Sequence, residues 1–271
     1  SAPEKKYSMS ELISHLGVSP SLVKKLVQQG NIRFCYQKES TRYELCEPIF
    51  SKNLSQEQFQ ISKQLRSLIK AQIYSTSLLR GITGSGKTEV YLDSVSEALS
   101  LGKQVLVLVP EIALSVDFVQ RVFNRFGIMP GQWHSGIAKK DRKSLYGAVA
   151  SGKANLVIGA RSALFLPFKN LGLIVVDEEH DVSYKQDDVV CYNARDMAVL
   201  RASMNSAQVI LASATPSLET WANAKSGKYT RFDLWVRYGE AVLPEIEVVD
   251  LRNQSGQKKG EFISEILKAE I

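Results

Sequence analysis

The segment Gly81-Ile82-Thr83-Gly84-Ser85-Gly86-Lys87-Thr88 sets glycines, a lysine and a hydroxyl at the spacing G-x-x-x-x-G-K-[ST]. Glycines at these places let backbone N–H groups turn inward and approach phosphate oxygens closely. A helix opening behind the loop points its positive dipole end at the same anion. Lys87 then reaches the β- and γ-phosphates, and the Thr88 hydroxyl ligates Mg²⁺. The phosphate-binding set is therefore expected to be Gly81, Thr83, Gly84, Ser85, Gly86, Lys87 and Thr88. A second group, Leu173-Ile174-Val175-Val176-Asp177-Glu178-Glu179-His180, is an apolar run that ends in acids. Ligands of open α/β sheets bind beyond the carboxyl ends of strands. Asp177 at that edge is placed to hold Mg²⁺ through water, and Glu178 to orient and deprotonate a water attacking the γ-phosphate. Phosphoryl transfer needs little more than positioning and charge neutralisation. Lys87, Asp177 and Glu178 are the expected catalytic residues.

The elements that must position these groups are legible as alternating apolar strands and amphipathic helices from Leu54 onward. Leu78–Leu79 precedes the glycine loop, and Thr88–Leu99 follows it as a helix. Strands are expected at Gln104–Val109, Gln132–His134, Leu156–Ile158, Leu173–Val176 and Val209–Leu211, with helices at Leu114–Phe126 and Lys139–Ala150. Apolar runs without alternation are buried on both faces, which implies an α/β fold with a parallel sheet covered by helices. From Arg237 the chain turns Glu/Lys-rich, with one apolar strand at Ile246–Val249. The expected division is 1–50, 51–236 and a connector at 237–271.

The first unit reads differently. Ser8–Leu16 carries helical spacing, Gly17-Val18-Ser19-Pro20 breaks it, and Leu22, Val23, Leu26 and Val27 form a second apolar stripe. Two short helices about a Gly-containing turn read as helix-turn-helix. Ile32–Tyr36 and Arg42–Leu45 then form a hairpin, which makes the unit a winged-helix type. It either touches DNA or docks on protein. Lys24, Lys25, Arg33, Lys38 and Arg42 supply positive charge for the first role. At 44% hydrophobic and 23% charged, the 271-residue chain excludes disordered, collagenous and coiled-coil classes. Its longest apolar run, Val105–Val109, is far below the ~20 residues of a membrane span. Cys35, Cys46 and Cys191 have no zinc or disulfide spacing and are expected as reduced thiols in a cytoplasmic protein. The net charge of +6 permits a polyanionic partner.

Eight separated words now fall in one order: Gly81 to Tyr91, Val109-Pro110-Glu111-Ile112, His134-Ser135-Gly136, Gly159 to Phe165, Asp177-Glu178-Glu179-His180, Ser183-Tyr184-Lys185-Gln186, Ala194-Arg195-Asp196 and Ser213 to Glu219. The set resembles the replication-restart DNA helicases of superfamily 2 over nearly the whole chain. That resemblance implies a RecA-like ATP-binding lobe behind a small winged helix. It also implies a 3′-to-5′ DNA-dependent ATPase that recognises stalled forks and promotes primosome assembly. Leu54 to Gln58 resembles the motif whose glutamine reads adenine, so Gln58 joins the nucleotide set; the competing reading of the residue is a polar helix cap. His180, Ser213 and Thr215 are implied to couple nucleotide state to DNA. Arg161 and Ser162 are implied on DNA phosphate, and Tyr184, Lys185 and Tyr192 on single-stranded DNA. The loop between those tyrosines has no tryptophan and two acids, Asp187 and Asp188. Forked and single-stranded DNA, primosome proteins and single-strand-binding protein are the implied partners of a monomer without membrane contact. The family's 3′-end-binding domain, second RecA-like lobe and zinc-binding cysteine cluster are not in this sequence, so zinc is expected only there. The competing expectation from the residues alone is a helix-turn-helix regulator switched by a nucleotide-binding domain.

Overall fold

The computed structural model describes residues 19–32, 43–110, 116–188, 190–237, 248–249, 264 and 267. The chain divides into a small unit at 1–44 and a large one at 45–271. In the small unit, Pro20–Gln28 forms α1. Ser19 caps it by accepting the Leu22 N–H, and Pro20 sits at the first turn, where its missing donor costs nothing. The expected first helix and most of the hairpin lie outside the described residues. Of the second hairpin strand, Tyr43, Glu44 and Leu45 are described and are irregular, not extended in a sheet.

The large unit begins earlier than residue 51. The Cys46 N–H donates to Asn155 Oδ1, and Asn155 Nδ2 donates back to the Cys46 carbonyl. The Ile49 carbonyl accepts from Ser96 and Arg125. These bonds and the buried Cys46 side chain tie the segment to the α/β core. Then follow α2 (Gln56–Lys70), β1 (Ser75–Gly81), α3 (Lys87–Ser100), β2 (Gln104–Leu108), α4 (Val116–Phe126), β3 (Gly131–Trp133), α5 (Lys139–Ala150), β4 (Leu156–Gly159) and β5 (Leu171–Val176). A two-strand ribbon, β6 (Lys185–Gln186) with β7 (Tyr192–Asn193), leads into α6 (Ala194–Asn205). Next come β8 (Gln208–Ser213), α7 (Leu218–Lys225) and β9 (Thr230–Leu234). Among the described residues the main sheet has seven strands in the order β3-β4-β2-β5-β8-β1-β9, and every pairing in it is parallel.

The unbroken apolar runs are buried along their full length in β2, β4 and β8, as expected for strands covered on both faces. Leu79, Val105, Val107, Ile158, Val175 and Ile210 pack against Ile61 and Leu65 of α2 and Val90, Tyr91 and Val95 of α3. Parallel pairing puts all carboxyl ends on one edge. Because β5, β8 and β1 are neighbours, the acid turn, the end of β8 and the glycine loop emerge side by side. Most of the expected connector at 237–271, including Ile246 and Glu247, lies outside the described residues, and Val248 and Val249 are not in a strand.

Candidate nucleotide site and the surface beside it

The glycine loop leaves β1 under tight packing. A Cβ on Gly81 would overlap Ser85 Oγ and the Leu234 side chain, so only glycine fits. Gly84 and Gly86 adopt φ of +79° and +80°, the left-handed region that glycine enters without penalty. The loop thereby turns its backbone toward a cavity of about 540 Å³ at the N-terminus of α3. Thr83, Gly84, Gly86, Lys87 and Thr88 line it from the loop, Asp177 and Glu178 from the acid turn, and Ser51, Asn53 and Gln58 from the α2 side. Lys87 Nζ donates to the Gly81 carbonyl at 2.9 Å, which holds the ammonium at the cavity wall. Among the described residues Ser85 Oγ, which is buried, has no hydrogen-bond partner. An open space at Gly84, a buried lysine at the cavity wall and a helix N-terminus form a cradle that fits a polyphosphate.

Gln58 sits at the third position of a capping box. Its Oε1 accepts the Ser55 N–H at 2.8 Å, and Ser55 Oγ accepts the Gln58 N–H in return. Its Nε2 donates to the Ser85 carbonyl at 2.9 Å. The amide therefore serves the helix cap and the phosphate loop together, in a buried position that still lines the cavity.

Asp177 is held from several sides. Its N–H donates to the Leu108 carbonyl, its Oδ2 accepts the Tyr91 hydroxyl at 2.9 Å, and its Oδ1 accepts the Glu178 N–H at 3.1 Å. Burial pushes its carboxyl above the usual carboxylate range, against the pull of the Tyr91 hydroxyl. Thr88 and Asp177 both line the cavity and are the residues whose oxygens would hold a phosphate-bound Mg²⁺. Among the described residues no cluster of His, Cys, Asp or Glu could hold a metal by itself. Glu178 has φ of +45°, a conformation that costs a non-glycine residue roughly 1–3 kcal/mol. Its side chain is 42% exposed at the mouth of the cavity, where a water can reach it.

The implied coupling residues do meet. His180 Nδ1 lies 2.8 Å from Ser213 Oγ, which also accepts the Thr215 N–H at 3.0 Å. His180 Nδ1 is 3.6 Å from Glu178 Oε2. The implied DNA-facing residues are less uniform. Arg161 opens a 3₁₀ turn, Arg161–Phe165, and donates to the Ser183 and Lys185 carbonyls at 3.3 and 2.6 Å. It clamps the backbone of the following loop. Ser162 Oγ accepts the Trp133 indole N–H at 3.1 Å. Lys185 is exposed and paired with Asp187. Tyr192 and Phe165 form a T-shaped pair, with ring centroids 5.3 Å apart. Tyr184 corrects the expectation of a stacking ring. It is 1% exposed, and its hydroxyl donates to the Asp177 carbonyl at 2.6 Å. A ring enclosed in this way has no free face for a base and instead braces the acid turn.

Sequence reasoning did not single out Tyr91, Phe165 or Glu179. Tyr91 lies one turn beyond Lys87 on α3, and that helical spacing was the available signal. Phe165 is 56% exposed, which no local pattern announces. Glu179 looks like one more surface acid, yet its side chain is wholly buried.

A DEAD/DEAH box helicase family model matches residues 60–224. Replication restart protein PriA of Rickettsia felis is 43% identical over 97% of this chain and 39% of its own length. The protein of that name in Bacillus subtilis is 38% identical over 92% of this chain and 31% of its own. The chain thus spans about two fifths or less of the length of these relatives. A solved structure of RecG bound to a three-way DNA junction superposes with a TM-score of 0.51 at 18% identity, over 79% of this chain and 28% of that one, a likeness of fold. The phosphate loop, the Asp-Glu-Glu-His turn and the parallel sheet agree with the family match, and the chain belongs to the DEAD/DEAH box helicases.

Proposed function

We propose that this chain is the ATP-binding lobe of a replication-restart DNA helicase, a 3′-to-5′ translocase that acts at stalled forks. The observation that carries the reading is the alignment of three motifs on adjacent strand ends. The phosphate loop after β1, Asp177-Glu178 after β5 and Ser213 at the end of β8 share one sheet edge, and His180–Ser213 bridges two of them. Sequence similarity to the PriA relatives supports the choice of replication restart within the helicase family.

ATP is the substrate. Lys87 leaves the Gly81 carbonyl to neutralise the β- and γ-phosphates, and the loop N–H groups donate to phosphate oxygens. Thr88 and Asp177 hold Mg²⁺, which when bound offsets phosphate charge. Gln58 offers its remaining amide donor and acceptor capacity to the adenine edge. Glu178 accepts the proton of the water whose oxygen attacks the γ-phosphorus, while the bond to the ADP oxygen breaks. Arg161, Ser162, Lys185 and Tyr192 face single-stranded DNA, with Phe165 beside them. Forked DNA, primosome components and single-strand-binding protein are the proposed partners of the longer, cytoplasmic and monomeric protein.

The test is a titration with a fluorescent ADP and Mg²⁺ on the wild-type chain and Lys87→Ala. Loss of the charge is expected to weaken binding at least tenfold, the size of a charge-assisted contact of about 1.4 kcal/mol or more. Equal affinity would show that the loop does not hold phosphate.

A further inference from the structure

The cavity has one wall that neither a helix nor a strand supplies. Ser51 and Asn53 line it beside Gln58, and residues 49–53 belong to no regular element. Such a stretch holds one place only where its backbone groups find tertiary partners. The Ile49 carbonyl accepts from Arg125 Nε at 2.8 Å and from the Ser96 hydroxyl. The Ser51 N–H donates to Asp93 Oδ1 at 2.8 Å. Between them, the Arg66 guanidinium lies over the Phe50 ring, 4.0 Å from its centroid.

Arg125 of α4 joins these anchors. Its side chain is 11% exposed. Besides the Ile49 carbonyl it donates to Glu89 Oε2 at 3.0 Å and to Asp93 Oδ1, both on α3 and one turn apart. Asp93 is buried, and its other oxygen accepts the Ser62 hydroxyl of α2 at 2.8 Å. A guanidinium is a rigid planar fork, so these three acceptors together fix where the 49–51 backbone sits relative to α3. The same helix carries Lys87 and Thr88. The irregular wall and the phosphate end of the cavity are thereby held at a set spacing. Phosphates bound by Lys87 and Thr88 leave a nucleoside to extend toward Ser51, Asn53 and Gln58. No aromatic ring is among the described residues that line the cavity, so a base there meets polar groups whose placement decides the fit.

We propose that Arg125 is a positioning residue that fixes the 49–53 wall at the reach of a purine, and so gives the cavity its preference for purine over pyrimidine nucleotides. This rests on the reading of the cavity as an ATP site. A pyrimidine, smaller by one ring, leaves a gap at a wall held in that place and forfeits the contacts.

The experiment displaces a fluorescent ADP from this chain with unlabelled ADP and CDP in the presence of Mg²⁺, and follows hydrogen exchange of a peptide spanning residues 46–54. The wild type should bind ADP at least about tenfold tighter than CDP, the worth of one or two net hydrogen bonds. Arg125→Lys keeps a positive charge beside Glu89 and Asp93, but one ammonium cannot serve both of them and the Ile49 carbonyl in the planar geometry of the fork. In that variant ADP should weaken by about tenfold and CDP by less than about threefold, so the ratio narrows, and the 46–54 peptide should exchange faster. A merely structural defect lowers both affinities by the same folded fraction and leaves the ratio unchanged. A wild-type ratio kept in Arg125→Lys overturns the proposal, as does a lost preference with unchanged exchange in the peptide. A wild type that binds ADP and CDP equally also overturns it, and leaves phosphate binding at the loop intact. A wild type that binds neither overturns the ATP-site reading as well. If Arg125→Lys does not fold, Asp93→Asn, which removes a charge that holds the guanidinium, decides by the same two readouts.

Discussion

Gly86→Ala should destabilise the large unit in a way that exposes the link between the phosphate loop and α2. Gly86 has φ of +80°, and forcing alanine there costs roughly 1–2 kcal/mol. The added Cβ would also overlap Gln58 Nε2. Gln58 can swing away, but it is buried and its amide bonds Ser85 O and Ser55 N–H at 2.9 and 2.8 Å. Breaking two such bonds costs a further ~1–3 kcal/mol. The expected loss is about 2–5 kcal/mol, or a melting temperature lower by about 4–20 °C for a unit of this size. Thermal melts of wild type, Gly86→Ala, Gln58→Ala and the double variant measure it. In the Gln58→Ala background there is no amide left to displace, so Gly86→Ala should then cost only the conformational ~1–2 kcal/mol. Strict additivity, or a Gly86→Ala chain that melts with wild type, would refute the described contact between loop and capping box.

Under the proposed function, Glu178→Gln should keep nucleotide affinity and lower the hydrolysis rate by about 10²–10⁴, because an amide cannot take the proton. Steady-state hydrolysis with single-stranded DNA reads this, and unchanged turnover would remove Glu178 from the role of base. Phe165→Ala and Tyr192→Ala should each weaken oligodeoxythymidine binding by ~1–3 kcal/mol, while Tyr184→Ala should lower the melting temperature first. The reverse ranking would restore Tyr184 as a stacking ring. Burial pushes the Cys46 thiol up to about 11, so it stays neutral as pH rises and only about one molecule in a thousand is thiolate at pH 8. Iodoacetamide labelling with peptide mapping should find Cys46 far slower than exposed Cys191, with its rate still climbing above pH 10; equal rates at pH 8 would refute the buried position.

What could be read from sequence shares a property: the residues that carry each feature are neighbours along the chain. The phosphate loop needs two left-handed positions, a lysine and a helix start, and all of these are written within Gly81–Thr88. Ser55 and Gln58 form a capping box three residues apart. Buried strands are apolar without alternation because helices cover both faces, and β2, β5 and β8 were legible on that ground. The alternating, half-exposed edge strand β9 was not.

Tertiary structure decided which distant groups meet. Strand order placed β5, β8 and β1 side by side, and only then do Tyr91 and Asp177, 86 positions apart, share a hydrogen bond. The same packing enclosed Tyr184, whose residue type alone fits a stacking ring, and turned it onto the Asp177 carbonyl. It also took Glu179 out of water and surrounded it with Ser217, Thr220 and Arg195. A carboxylate or a phenol has the same local propensity in either setting. Burial and partner supply separate a surface group from a structural one, and both depend on residues that the chain brings together only when the sheet is complete.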